Sequence, residues 1–128
     1  HEHHAFFSWL LTTLVNQQID LLLVAGDIYH TATPSASAEN QLYQFIKNAK
    51  AQCPQLHVVI IAGNHDSANR ILAAQPLLAQ FDTYVVGRFD PAKPSDVVIT
   101  INNDDKRAVV LAMPFLRTSD TVPYIHLT

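Results

Sequence analysis

Scarcity says much about this chain before any motif does. A single cysteine, Cys53, in 128 residues excludes an intrachain disulfide and a multi-cysteine zinc site, a usage that fits a reducing cytoplasm. Glycine occurs only three times. Neither G-x-G-x-x-G nor G-x-x-x-x-G-K followed by Ser or Thr is present, so the common nucleotide-binding loops are excluded. No apolar run approaches the roughly 18–20 residues of a membrane span, and no signal-peptide pattern is visible. Basic charge is also short: 8 Lys and Arg stand against 11 Asp and Glu, a net charge of −3. Such a chain has no global basic field for nucleic acid, and contact with DNA must come from a local patch, a partner or further sequence.

What is present is a well-segmented α/β pattern. Apolar residues make up 48% of the chain, enough for a core in one domain's worth of sequence or less. Phe6, Trp9, Leu10, Thr13 and Leu14 recur at helical spacing and predict a helix over 5–18. The run 21–25 predicts a strand, and its uninterrupted apolar character suits a sheet covered on both faces. Ser35 is placed to cap a helix running to 51, with Glu39 in its first turn and Leu42, Phe45, Ile46 and Ala49 on one face. Pro54 closes that helix, and 56–62 predicts a second strand. A loop over 63–69 leads to a helical stretch at 71–80, interrupted or restarted at Pro76. Three further strands, 84–86, 97–101 and 108–112, read as an antiparallel or mixed continuation. Asn102-Asn103-Asp104-Asp105 turns the last two into a hairpin. The tail 113–128 has no clear period.

The chemistry-bearing residues stand at two strand ends. Gly26-Asp27 follows the first strand, and Gly63-Asn64-His65-Asp66-Ser67 follows the second. A carboxylate at the C-terminal end of a buried strand lies where open α/β sheets place their ligands, and a glycine before it permits a tight turn. The Asn64 amide oxygen is a hard, neutral ligand suited to Mn²⁺ or Mg²⁺. His65 points elsewhere as a donor or general acid, and Asp66 is suited to orienting it or tying down the loop. Each motif alone is also an ordinary turn. Together they follow successive parallel strands joined by one helix, and right-handed crossover makes their tips neighbours.

Those motifs resemble the second and third signatures of calcineurin-like metallophosphoesterases. The finer resemblance is to the SbcD-type DNA repair nucleases. It rests on Ala25-Gly26-Asp27-Ile28-Tyr29-His30-Thr31 with Pro34-Ser35, Ala62-Gly63-Asn64-His65-Asp66-Ser67, Leu77-Leu78, Val85-Val86-Gly87 and Met113-Pro114-Phe115-Leu116-Arg117. Glu2-His3, Phe6 and Trp9-Leu10 resemble the first helix of that branch. The resemblance implies a partial four-layer α-β-β-α sandwich, with parallel βαβ units followed by a β-hairpin. It further implies two divalent cations, Mn²⁺ before Mg²⁺, with Asp27 bridging them and Asn64 binding one. His65 would serve the leaving oxygen, and His30 would help position a DNA end. The implied activity is exonuclease and endonuclease cleavage of double-stranded DNA ends and hairpins in repair and recombination. The implied partners are an SbcC-type ATPase, double-stranded DNA and a second nuclease subunit, in the cytoplasm and without a membrane.

The departures from that pattern matter equally. The family's opening Asp-x-His strand and its later His and Gly-His-x-His motifs have no counterpart here, and His126 lacks the preceding glycine. Residues 1–128 therefore read as a truncated portion of one nuclease domain, holding half a metal site and inactive by itself. His1-Glu2-His3-His4 does not have the H-E-x-x-H zinc spacing and reads as a first helical turn. Two alternatives stand beside the nuclease: another metallophosphoesterase acting on nucleotides or phosphoproteins, or a non-catalytic docking module. Arg70, Arg88, Lys93 and Arg117 read as solvated charges before phosphate contacts. Trp9 and Tyr43 read as helix-packing aromatics, His57 as structural, and Cys53 as partly buried at a helix end.

Overall fold

A computed structural model of the chain describes residues 2–26, 29, 34–63 and 68–116. Asp27, His30, Asn64, His65 and Asp66 lie outside the described residues, as do Arg117 and His126. The element order is α1 (Glu2–Asn16), β1 (Leu21–Ala25), α2 (Ala36–Gln52), β2 (His57–Ile61), α3 (Ala68–Ala73), α4 (Gln75–Ala79), β3 (Thr83–Val86), β4 (Val98–Asn103) and β5 (Lys106–Leu111). A short 3₁₀ turn, Pro94–Val97, leads into β4.

Strands β1, β2 and β3 form one parallel sheet in that order, while β4 and β5 form a separate antiparallel pair. The strand at 83–86 thus does not join the hairpin, contrary to the antiparallel or mixed expectation. The intervening helices α3 and α4 return the chain to the end where β2 began, which permits only parallel addition.

Alternation along β2 divides the interior in two. Val58, Ile60 and Ala62 face the helices with Leu14, Phe45, Ile46, Ala49, Leu56, Ile71, Leu78 and Val85. Val59 and Ile61 face the hairpin with Val86, Val97, Ile99, Ile101 and Ala112. The period of two along a strand supplies both faces from one apolar run. The layers are therefore helices, parallel sheet and hairpin, three of the four layers of an α-β-β-α sandwich. Full cover on both faces belongs to β2 alone, since β1 lies at the sheet edge and leaves Leu23 56% exposed.

The helix boundaries have local causes. Ser35 caps α2, its Oγ accepting from the Ala38 N–H at 3.1 Å. Pro76 sits in the first turn of α4, where its missing N–H costs nothing, so the helical stretch restarts there. In α1 the packed face is Phe7, Leu10, Leu11 and Leu14, with Phe7 stacked on Phe45 at 4.9 Å between ring centroids. Trp9 is 61% exposed and Phe6 53%, so the helix-packing role expected for Trp9 belongs to Phe7. Cys53 is fully buried as the residue that ends α2. His57 opens β2 and stacks on Tyr84, in keeping with a structural role.

The sheet's N-terminal end is closed by polar contacts. The Lys50 ammonium donates to the Pro54 and Leu56 carbonyls and pairs with Asp82. The Asn103 side chain donates to the Gln55 carbonyl at 2.7 Å, and Lys106 pairs with Asp20 at 3.3 Å, tying the hairpin to the sheet.

Candidate metal centre

Both motif loops leave the same end of the parallel sheet. The register sets Ala25 opposite Ile61, so Gly26 and Gly63 follow from adjacent strand ends. Gly26 adopts φ +83°, a left-handed conformation that side chains rarely tolerate. A Cβ built on it would stand 2.9 Å from Gly63 Cα and 3.3 Å from Gly63 N. The two backbones are therefore in direct contact at the residues preceding Asp27 and Asn64. Their shared feature is the absence of side-chain bulk at the origins of the two motif loops.

A divalent ion fits this arrangement on two grounds. Glycine at both positions lets the two strand tips approach each other closely, so the residues that follow them start from neighbouring points. The sequence then supplies hard oxygen donors, a carboxylate and a carboxamide, next in line after each tip. Among the described residues no cluster of three or more His, Cys, Asp or Glu forms a complete metal cage.

Further elements converge on the same end. The Ala62 N–H donates to the Val86 carbonyl at 3.1 Å, and the Phe115 N–H donates to the Ala62 carbonyl at 2.8 Å. The stretch Met113-Pro114-Phe115-Leu116 is thereby docked on the β2 tip, a position its lack of periodicity did not disclose. Phe115 remains 46% exposed there. The Arg88 guanidinium donates to Asn69 Oδ1 at 2.8 Å, joining the segment after β3 to the start of α3. Arg70 pairs with Glu39 at 3.1 Å and donates to the Pro34 carbonyl at 3.4 Å. Both arginines are solvent-exposed, as their sequence context suggested, and each also bonds within the chain.

Beneath these contacts lies a small apolar pocket lined by Tyr29, Leu42, Tyr43, Ile60, Ile71 and Val85, among others. Burial raises the Tyr43 phenol above its ordinary value near 10, the Glu39 carboxylate raises it further, and the Arg70 guanidinium opposes both. Tyr29 is itself buried, so an aromatic ring from between Gly26 and Pro34 is seated in the interior.

The family model described as calcineurin-like phosphoesterase matches residues 1–120. The chain belongs to the calcineurin-like phosphoesterase family. Within that family it is similar to the SbcD subunit of nuclease SbcCD from Escherichia coli K12, with 33% identity over 121 residues, 94% of this chain and 29% of the relative. The Rhodobacter capsulatus protein of the same name is 34% identical over 125 residues, 93% of this chain and 31% of the relative. The Bacillus subtilis one is 36% identical over 78 residues, 61% of this chain and 20% of the relative. This phosphoesterase chain thus spans less than a third of the length of the curated relatives it matches. Among its described residues, no helix is long and apolar enough to cross a membrane.

Proposed function

We propose that this chain supplies part of the active site of an SbcD-type nuclease, a metal-dependent phosphodiesterase acting on double-stranded DNA ends and hairpins in repair and recombination. The observation that carries the reading is the contact between Gly26 and Gly63, which sets the starting points of both ligand loops side by side. Asp27 and Asn64 would hold a divalent pair, Mn²⁺ before Mg²⁺, with the Asp27 carboxylate shared between the ions and the Asn64 amide oxygen on one of them. Residues 1–128 form one portion of the nuclease domain, and the remaining ligands come from sequence outside it.

Bound there, a divalent pair supplies Lewis acidity toward the phosphodiester and its attacking water. His65 donates a hydrogen bond to the leaving oxygen as it gains charge, and delivers the proton that completes its departure. Asp66 holds the imidazole in the donating orientation. His30 contacts the DNA end. No covalent enzyme intermediate is required. Docking to an SbcC-type ATPase and pairing with a second nuclease subunit in the cytoplasm complete the proposal. The chain's acidic balance supports a division of labour in which its partners supply much of the attraction for DNA.

Mn²⁺ titration of the 128-residue chain, followed by electron paramagnetic resonance, tests the site. Weak binding that disappears in both Asp27→Asn and Asn64→Ala is expected, together with no cleavage of linear duplex DNA. Binding unaffected by either substitution would overturn the ligand assignment. Robust cleavage abolished by Asn64→Ala would overturn the claim that the site is incomplete.

A further inference from the structure

Arg70 stands three residues beyond Ser67, at the opening of α3, yet it reaches the end of the other motif loop and the first turn of α2. One guanidinium nitrogen, Nη2, reaches both Glu39 Oε1 at 3.1 Å and the Pro34 carbonyl at 3.4 Å. Pro34 is buried and ends the segment that carries Asp27 and His30. Glu39 lies in the first turn of α2, directly after the Ser35 cap. The same guanidinium lines the pocket shared by Tyr29 and Tyr43. From these contacts we infer that Arg70 is a positioning residue that clasps Pro34, at the end of the first motif loop, and the first turn of α2 to the start of α3.

Three considerations select this role over a simple contribution to stability. The Arg70 side chain is 48% exposed, and an ion pair so open to water contributes little to folding. Its geometry nevertheless links the end of the first motif loop to the start of α3, away from the contact between Gly26 and Gly63. Both acceptors are met by the terminal nitrogen Nη2, which lies one bond further from Cα than a lysine Nζ, so Arg70→Lys shortens the clasp. Arg88 supports the arrangement from the opposite side by holding Asn69, the neighbour of Arg70.

The consequence for metal binding rests on the proposed Asp27 and Asn64 site, whereas the clasp itself does not. Hydrogen exchange of the metal-free chain tests the clasp directly. In Arg70→Ala, exchange across residues 26–35 should quicken about three- to fivefold, with the melting temperature nearly unchanged. Arg70→Lys should restore only part of the protection. Lys50→Met, which breaks contacts at the opposite end of the sheet, should lower the melting temperature without altering exchange at 26–35. Equal exchange in wild type and Arg70→Ala would overturn the clasp, as would an equal response to Lys50→Met. Mn²⁺ titration gives the second arm: Arg70→Ala should weaken binding about tenfold, as loss of an outer support does. Unchanged affinity alongside faster exchange would overturn the positioning role. Absence of binding in the wild-type chain would count against the proposed metal site, leaving the clasp to stand or fall on exchange.

Discussion

A Cβ on Gly26 would stand 2.9 Å from Gly63 Cα, so two strand tips distant in sequence touch through backbone alone. Gly26→Ala meets this contact and a φ of +83° together. The left-handed conformation alone costs an alanine about 1–2 kcal/mol, and the backbone of Gly63 has little freedom to yield. The expected result is a loss of at least that much stability in denaturant unfolding. The two tips should also separate, and Mn²⁺ affinity should fall further than the loss of stability explains.

His65→Ala separates binding from chemistry. If His65 serves the leaving oxygen rather than the metal, the substitution leaves metal content intact. A longer SbcD-type polypeptide carrying the change should then cleave duplex ends about 10²–10⁴-fold more slowly, the usual range for a positioned general acid. Calorimetric metal binding measured beside single-turnover cleavage decides between the roles. Loss of metal together with loss of rate would make His65 a ligand.

Tyr43 offers a spectroscopic report on the Arg70 clasp. Burial and Glu39 raise its phenol while Arg70 lowers it, so the neighbouring substitutions should act with opposite sign. Glu39→Gln should move the tyrosinate titration to lower pH, and Arg70→Ala should move it higher. Because the folded value is raised, the associated stability is fully present below the unfolded value near 10 and is lost as pH rises through the folded value. Tyr43→Phe should remove that part of the alkaline decline, as urea midpoints measured across the range would show.

Much of this arrangement was legible in the residues, and the failures share a cause. Strands β1 and β2 announced themselves as short apolar runs ending in glycine turns, and Ser35 marked the start of α2. The pairing of β3 was misread because a four-residue apolar strand carries no signal of its partner. Only the crossover through α3 and α4 settles it. In α1, Phe6-Phe7 and Trp9-Leu10-Leu11 support two overlapping helical stripes, and propensity cannot choose between them. Packing of Phe7 on Phe45 does. The bonds from Arg70 to Pro34 and from Phe115 to Ala62 join segments far apart in the chain, beyond the reach of any local pattern. Of the site itself, the convergence of the two loop origins is visible in the described residues. The roles of Asp27, Asn64 and His65 rest on their chemistry and on family membership.

Lys50 provides the last prediction, at the end of the sheet away from the candidate site. Its ammonium is only 17% exposed and is shared among the Asp82 carboxylate and the carbonyls of Pro54 and Leu56. These contacts join the end of α2, the turn into β2 and the start of β3. A methionine of similar length occupies much of the same space but leaves both carbonyls without this donor. The exposed Pro54 carbonyl can turn to water, but the Leu56 carbonyl is partly buried, and leaving it without its donor costs about 1 kcal/mol, the low end for a buried acceptor. Lys50→Met should therefore destabilise the chain by about that amount in urea unfolding, whereas Asp82→Asn, which spares both carbonyl contacts, should cost less. An equal loss from the two substitutions would place the stabilisation in the ion pair rather than in the carbonyl bonds.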